Sequence, residues 1–147
     1  MHRLLSQRYA LGIGANLGDR EAAFARAAAL IVAEDDIVLA ARSTPIRSDP
    51  QGGPGGQEWF LNAVWILDTD LGPHVLLHRL QGIETACGRA RSVRWGPRTL
   101  DLDLLARADG LRVASPVLTL PHPRLEERQF VTGPLAELVC AGFWPGP

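Results

Sequence analysis

Residues 94–103 read Arg94-Trp95-Gly96-Pro97-Arg98-Thr99-Leu100-Asp101-Leu102-Asp103, and the two carboxylates two residues apart are the first feature able to do chemistry. If the run is a strand, residues two apart share a face. Asp101 and Asp103 then present their carboxylates together, roughly 7 Å apart at Cα, while Leu100, Leu102 and Leu104 face the core. Two acids held side by side repel unless a cation lies between them. Paired carboxylate oxygens are hard ligands that suit Mg²⁺, which keeps waters and substrate phosphates in its other positions. Taken alone, the pair fits a solvated strand face as well as a metal site, because D-x-D recurs by accident.

The neighbours add weight to the metal reading. Arg89, Arg91, Arg94 and Arg98 fall within the segment 89–98 just upstream. A guanidinium stays ionised and grips phosphate oxygens in bidentate fashion, so these side chains complement a polyphosphate. Phosphoryl transfer asks for that combination of metal and positioned cation, since its transition state needs neutralisation and alignment more than covalent help. A basic run with Trp95 inside it also fits an RNA-facing patch with a stacking platform. A formal charge of −1 and the nearby acids weigh against that alternative. All 15 basic residues are Arg and none is Lys, which excludes a P-loop lysine, a kinase strand lysine and Schiff-base chemistry.

Other candidates carry less. Gly12-Ile13-Gly14-Ala15-Asn16-Leu17-Gly18 fails as a dinucleotide fingerprint because Leu17 stands where the third glycine belongs. His74 and His78 sit four apart on an expected helix, yet Val75 replaces the glutamate a zinc protease needs, so they read as an exposed or capping pair. His122, held between Pro121 and Pro123 and followed by Arg128, suits a phosphate-binding role.

These residues must be positioned by regular elements. Tyr9 to Ala15 reads as a first strand, Asp19 as an N-cap, and Arg20 to Ala33 as a helix with Phe24, Ala28 and Ile31 on one face. Ile37 to Ala41 is expected to be a strand, Arg47 to Gln57 a Gly/Pro-rich loop, and Trp59 to Leu67 a strand. Pro73 opens a helix with a core face of Leu76, Leu80, Ile83 and Cys87, ended by Gly88. Thr99 to Ala106 alternates as a strand, and Asp109-Gly110 should turn it into Leu111 to Val113. Short helices are expected at Pro121 to Arg128 and Pro134 to Val139. The order predicts an α+β protein: a ferredoxin-like βαββαβ core with an extra C-terminal hairpin and short helices, its mixed, mainly antiparallel sheet in an αβα sandwich.

Bulk properties agree. With 147 residues, 46% hydrophobic and 21% charged, a single domain over 1–147 is expected. Apolar stretches are too short to span a bilayer, and Met1 to Ala10 lacks the pattern of a signal peptide, so a cytoplasmic monomer is expected, without nucleic-acid or membrane partners. Cys87 and Cys140 have no metal-type spacing and are expected to be reduced and buried.

Several of these blocks occur together in one order: Gly14-Ala15-Asn16-Leu17-Gly18-Asp19, Phe60-Leu61-Asn62-Ala63-Val64, Ile83-Glu84, Gly88-Arg89, the run 94–103, Pro121-His122-Pro123-Arg124-Leu125, and Glu127-Arg128-Gln129-Phe130. Over nearly the whole chain the sequence resembles the 6-hydroxymethyl-7,8-dihydropterin pyrophosphokinase family of folate biosynthesis, with Ala15 in place of that family's usual serine. The resemblance implies that Asp101 and Asp103 bridge two Mg²⁺ ions on the phosphates of ATP, the co-substrate. It implies attack of the pterin hydroxymethyl oxygen on the β-phosphorus with release of AMP. By the same resemblance Arg89 and Arg98 hold phosphates, Arg91, Trp95, His122 and Arg128 serve the nucleotide side, and Gln81 and Glu84 line the site near the metals. Ser48, Asp49, Pro50, Gln51, Gly52, Phe60, Asn62, Trp95 and Phe130 are the implied pterin-binding residues.

Overall fold

The central strand β1, Gln7–Ala15, is apolar on both faces, and the sequence QRYALGIGA lacks the polar alternation of a strand with one wet side. It must lie between two layers. The computed structural model describes residues 7–49, 58–88, 100–123, 125 and 129–146, with backbone only at 129–131. In it, β1 is flanked by β4 (Phe60–Thr69) and β5 (Asp101–Arg107), and β4 is flanked in turn by β2 (Ile37–Arg42). The sheet order is β2-β4-β1-β5, and every described pair is antiparallel. Helix α1 (Arg20–Val32) joins β1 to β2, and α2 (Pro73–Ala86) joins β4 to β5, which gives the ferredoxin-like path.

Side-chain alternation divides two cores between the faces. Tyr9, Leu11 and Ile13 of β1 pack with Phe24 and Ile31 of α1 and Leu76, Leu80 and Ile83 of α2. Ala10, Val64, Ile66 and Leu105 pack on the other face with Leu138 of α3 (Gln129–Cys140). The expected three-layer sandwich results. Asp19 caps α1 by accepting the Ala22 N–H at 3.0 Å, and Gly88 follows α2 with φ +81°, a left-handed conformation that glycine adopts without strain.

Several expectations change. Ile46–Ser48 is a short strand, β3, and not the start of a loop, because the ten-residue β4 outruns β2 and its free edge takes a second partner. The segment after the Asp109-Gly110 turn does not return along β5. Instead Val113–Ala114 (β6) pairs with Thr119–Leu120 (β7), since Asp109 draws in the Leu111 N–H and the Arg107 guanidinium and sends the chain away. Pro121 and His122 are not helical and precede a 3-10 turn at Leu125, whose N–H bonds to His122 O; residues 124 and 126–128 of the expected helix lie outside the described residues. Helix α3 begins five residues before Pro134; the proline forfeits one hydrogen bond, which its buried ring and the apolar contacts of Leu135 and Leu138 offset. Cys87 is buried as expected, but Cys140 is exposed at the end of α3, and both are free thiols.

A bulge completes the arrangement. Leu11 pairs with Leu104 and Ala10 with Ala106, so one extra residue enters β5. The insertion reverses the alternation beyond Leu105 and places the Arg107 guanidinium 6.0 Å from the Tyr9 ring, away from the face that carries Asp101 and Asp103.

Candidate active site

Register assembles the site, because residues paired across antiparallel strands project to the same side. Asn62 pairs with Gly14, and Gly14 with Asp101; one step along, Val64 pairs with Gly12, and Gly12 with Asp103. An asparagine, a glycine and an aspartate therefore form one row across three strands, with the second aspartate in the next. Both rows lie on the face whose apolar end is covered by Leu138 of α3.

The two glycines shape that surface. A Cβ on Gly14 would stand 3.1 Å from Asn62 Oδ1 and 3.8 Å from Phe60 Cδ1, and one on Gly12 would press on Leu105 at 3.4 Å. Without side chains there, the β1 backbone is, among the described residues, the floor of a trough. Its walls are Asn62 on one side and Asp101 and Asp103 on the other, about 10 Å apart over two strand spacings. The Asn62 amide is anchored: its Nδ2 donates to Ser48 Oγ at 2.6 Å, which leaves Oδ1 directed at Gly14. A flat polar heterocycle lying on the glycines would meet a fixed acceptor at its edge.

The mouth of the trough is held by local bonds. Buried Asn16, just past β1, donates to Glu58 O, and Arg20 donates to Trp59 O at 3.0 Å. The Trp59 ring carries two guanidiniums, Arg20 at 4.0 Å and Arg47 at 4.8 Å. These contacts tie the first helical turn of α1 to the start of β4, where Phe60 is half-buried.

On β5, Leu100, Leu102 and Leu104 are buried while Asp101 and Asp103 remain partly exposed, as strand alternation predicts. The outer side of β5 pairs with no strand among the described residues. Glu84 of α2, only 2% exposed, accepts the Leu102 N–H at 2.7 Å, and the His122 N–H donates to Leu105 O at 2.7 Å. Two accessible carboxylates on one strand face fit a Mg²⁺ ion that takes its remaining ligands from water and phosphate.

The nominated residues divide clearly. Asn62, Asp101 and Asp103 share the glycine-floored face, with Ser48 bonded to Asn62, whereas Gln81 is exposed on α2, one turn before buried Glu84. Asp49 is exposed directly after β3. Pro50, Gln51, Gly52, Arg89, Arg91, Trp95, Arg98 and Arg128 lie outside the described residues, as does the Phe130 side chain. Sequence reasoning missed Gly12 and Gly14, although two glycines spaced by two within a strand signal a face kept clear of side chains. Ser48, a nominated residue, enters the site through its hydroxyl, the acceptor that holds the Asn62 amide. A separate cavity of about 340 Å³, lined by Phe24, Arg42, Ser43 and Trp65 among others, sits on the α1 side of the sheet and shares no residue with the acidic row. Burial pushes the Cys87 thiol up from its ordinary value, against the pull of Arg26, so it stays protonated.

The ferredoxin-like sheet with its acidic row is compatible with a transferase of the kinase class, a class that its relatives decide. Residues 10–140 match the family model described as 7,8-dihydro-6-hydroxymethylpterin-pyrophosphokinase, and the chain belongs to that family. It is 46% identical over 128 residues to the 2-amino-4-hydroxy-6-hydroxymethyldihydropteridine pyrophosphokinase of Methylorubrum extorquens, covering 87% of this chain and 80% of that one. The Bacillus subtilis protein of the same name is 41% identical, with 87% and 75% covered. A folate synthesis bifunctional protein of Pisum sativum is 37% identical over 88% of this chain, which spans 24% of that longer protein. No described helix is long and apolar enough to cross a membrane.

Proposed function

We propose that this enzyme transfers the pyrophosphoryl group of ATP to the hydroxymethyl oxygen of 6-hydroxymethyl-7,8-dihydropterin. The pterin oxygen forms a bond to the β-phosphorus, the bond from that phosphorus to the α,β-bridging oxygen breaks, AMP leaves, and the hydroxyl proton passes to solvent. The observation that carries the reading is the row Asn62–Gly14–Asp101 with Asp103 beside it. It sets a seat for a flat heterocycle directly against a carboxylate pair.

In this proposal Asn62, oriented by Ser48, fixes the edge of the pterin on the glycine floor, with Phe60 and Phe130 as stacking faces. Asp101 and Asp103 would hold two Mg²⁺ ions, which supply charge neutralisation for the triphosphate when bound. Arg89 and Arg98 would hold phosphates, with Arg91, Trp95, His122 and Arg128 on the nucleotide side. The seat and the acids lie on neighbouring strands of one rigid sheet, so the reacting oxygen and phosphorus are brought together by binding alone.

Incubation with ATP, Mg²⁺ and the reduced pterin alcohol, followed by phosphorus NMR, tests the reading. AMP and a pterin diphosphate are expected. Appearance of ADP, or tight pterin binding with no AMP, would replace it with ordinary kinase chemistry or a silent pterin-binding protein.

A further inference from the structure

We propose that Glu84 is a positioning residue for the acidic pair, its carboxylate fixing the β5 backbone between Asp101 and Asp103; the inference rests on the metal-binding reading of those two acids. Leu102 is the residue between them, and its N–H donates to Glu84 Oε2 at 2.7 Å. β1 holds the inner side of β5 through the pairs Gly14–Asp101 and Gly12–Asp103. Glu84 holds the outer side at the point midway between those pairs.

The choice of residue is informative. Glu84 lies on the buried side of α2 beside Leu80 and Ile83, where an apolar side chain would pack at lower desolvation cost. A carboxylate there does what an apolar residue cannot: it satisfies the outward Leu102 N–H, on the side of β5 where no described strand pairs, with a charge-assisted bond. The backbone dihedrals at Leu102 set how the side chains of 101 and 103 diverge. With the Leu102 side chain 4% exposed in the core and its N–H held, those dihedrals are fixed from two directions. Hydrogen bonds behind metal-binding carboxylates commonly govern affinity, and removing one weakens metal binding by roughly 10- to 100-fold.

Glu84 reaches Leu102 from the α1/α2 layer while the acids project from the other face. It therefore acts through the backbone and not as a ligand. Its negative charge could raise cation affinity by field alone, so the two effects must be separated by substitution. Glu84→Gln keeps the reach and an acceptor oxygen but removes the charge. Glu84→Asp keeps the charge but shortens the reach by one methylene.

Two measurements decide the matter: hydrogen exchange of the Leu102 amide in the ligand-free protein, and Mn²⁺ binding by electron paramagnetic resonance in the presence of α,β-methylene-ATP. Glu84→Gln should keep Leu102 protected and bind Mn²⁺ within about threefold of the parent, whereas Glu84→Asp should lose protection and weaken Mn²⁺ binding roughly tenfold or more. The proposal is overturned if Glu84→Asp binds Mn²⁺ like the parent, or if Glu84→Gln loses as much as Glu84→Asp. Should Glu84→Asp fail to fold, Glu84→Gln alone decides: near-parental Mn²⁺ affinity supports the clip and a tenfold loss ends it. If the parent binds no Mn²⁺ with the analogue, the metal reading of Asp101 and Asp103 fails, and the positioning role with it. Leu102 exchange would then still report whether Glu84 holds the strand.

Discussion

The face of the sheet under α1 and α2 carries the larger apolar core: Tyr9, Leu11, Ile13, Trp65 and Leu67 meet Phe24, Ile31, Leu76 and Leu80 in one cluster. Among the described residues, the opposite face is covered where Leu135 and Leu138 of α3, with Leu125 and Trp144, lie over Ala10, Val64, Ile66 and Leu105. Beyond that cover the same strands turn to glycine, asparagine and aspartate. One side of each strand stabilises the fold, and the other leaves room for ligands. A strand does both because its side chains alternate, so a site can occupy one face without thinning the core behind it.

That division is broken most directly at the acids. On the proposed function, Asp101→Ala or Asp103→Ala should lower turnover on the order of a thousandfold or more, since each would remove a metal ligand worth several kcal/mol in the transition state. The melting temperature should barely move, because both side chains are partly exposed and neither belongs to the core. AMP release measured alongside a thermal melt checks both halves, and undiminished turnover would reject the assignment.

The reciprocal substitution is Leu80→Ala on the face with the larger core. Leu80 is 1% exposed, and its truncation should reduce stability by about 2–5 kcal/mol in urea unfolding. Per folded molecule, turnover should be retained. A comparable loss of turnover at temperatures where the variant stays folded would show that the faces are not separable.

Gly14→Ala sharpens the comparison. Its methyl would come within 3.1 Å of Asn62 Oδ1, whose amide is tethered to Ser48. The KM for the pterin should rise roughly tenfold, because a displacement of well under an ångström at a seat of this kind is felt in binding. The KM for ATP should change little; equal rises in both would show that Gly14 does not floor the pterin seat.

The smallest effect belongs to the rim. Arg79 donates to both Asp36 oxygens, at 2.8 and 3.0 Å, and this bond holds the Asp36 carboxyl below its ordinary value of 3.8. A depressed folded-state value means that the contribution is complete above pH 3.8 and fades as pH falls through the lower folded value. The small stability difference between the parent and Arg79→Met should therefore shrink below pH 3.8 and with added salt. A difference that persists in acid would locate the contribution in packing of the Arg79 stem.

Much of the fold could be read from local signals. Asp19 before an alanine-rich run, Pro73 at a helix start and Gly88 at its end are short-range chemistry, and each element appears within a few residues of its expected limits. The acidic strand was equally legible, because a period of two needs no knowledge of the partner. What misled were partners. Ile46–Ser48 carries too few residues to announce a strand, and it becomes one only because β4 offers a free edge. Val113–Ala114 finds β7 and not β5 because Asp109, bonded to the Leu111 N–H and to Arg107, sends the chain away after the turn. Glu84 itself looked like a helix residue lining a site, and only burial against β5 gave it a backbone partner.

The sequence by itself determined that Asp101 and Asp103 share a face, that Gly12 and Gly14 share one too, and which segments turn helical, since these follow from bonds and spacings inside one stretch of chain. Only the tertiary structure decided that the glycine face and the aspartate face are the same face. Strand register is set by hydrogen bonds between segments some ninety residues apart, and a slip of one residue would have pointed the acids into the core.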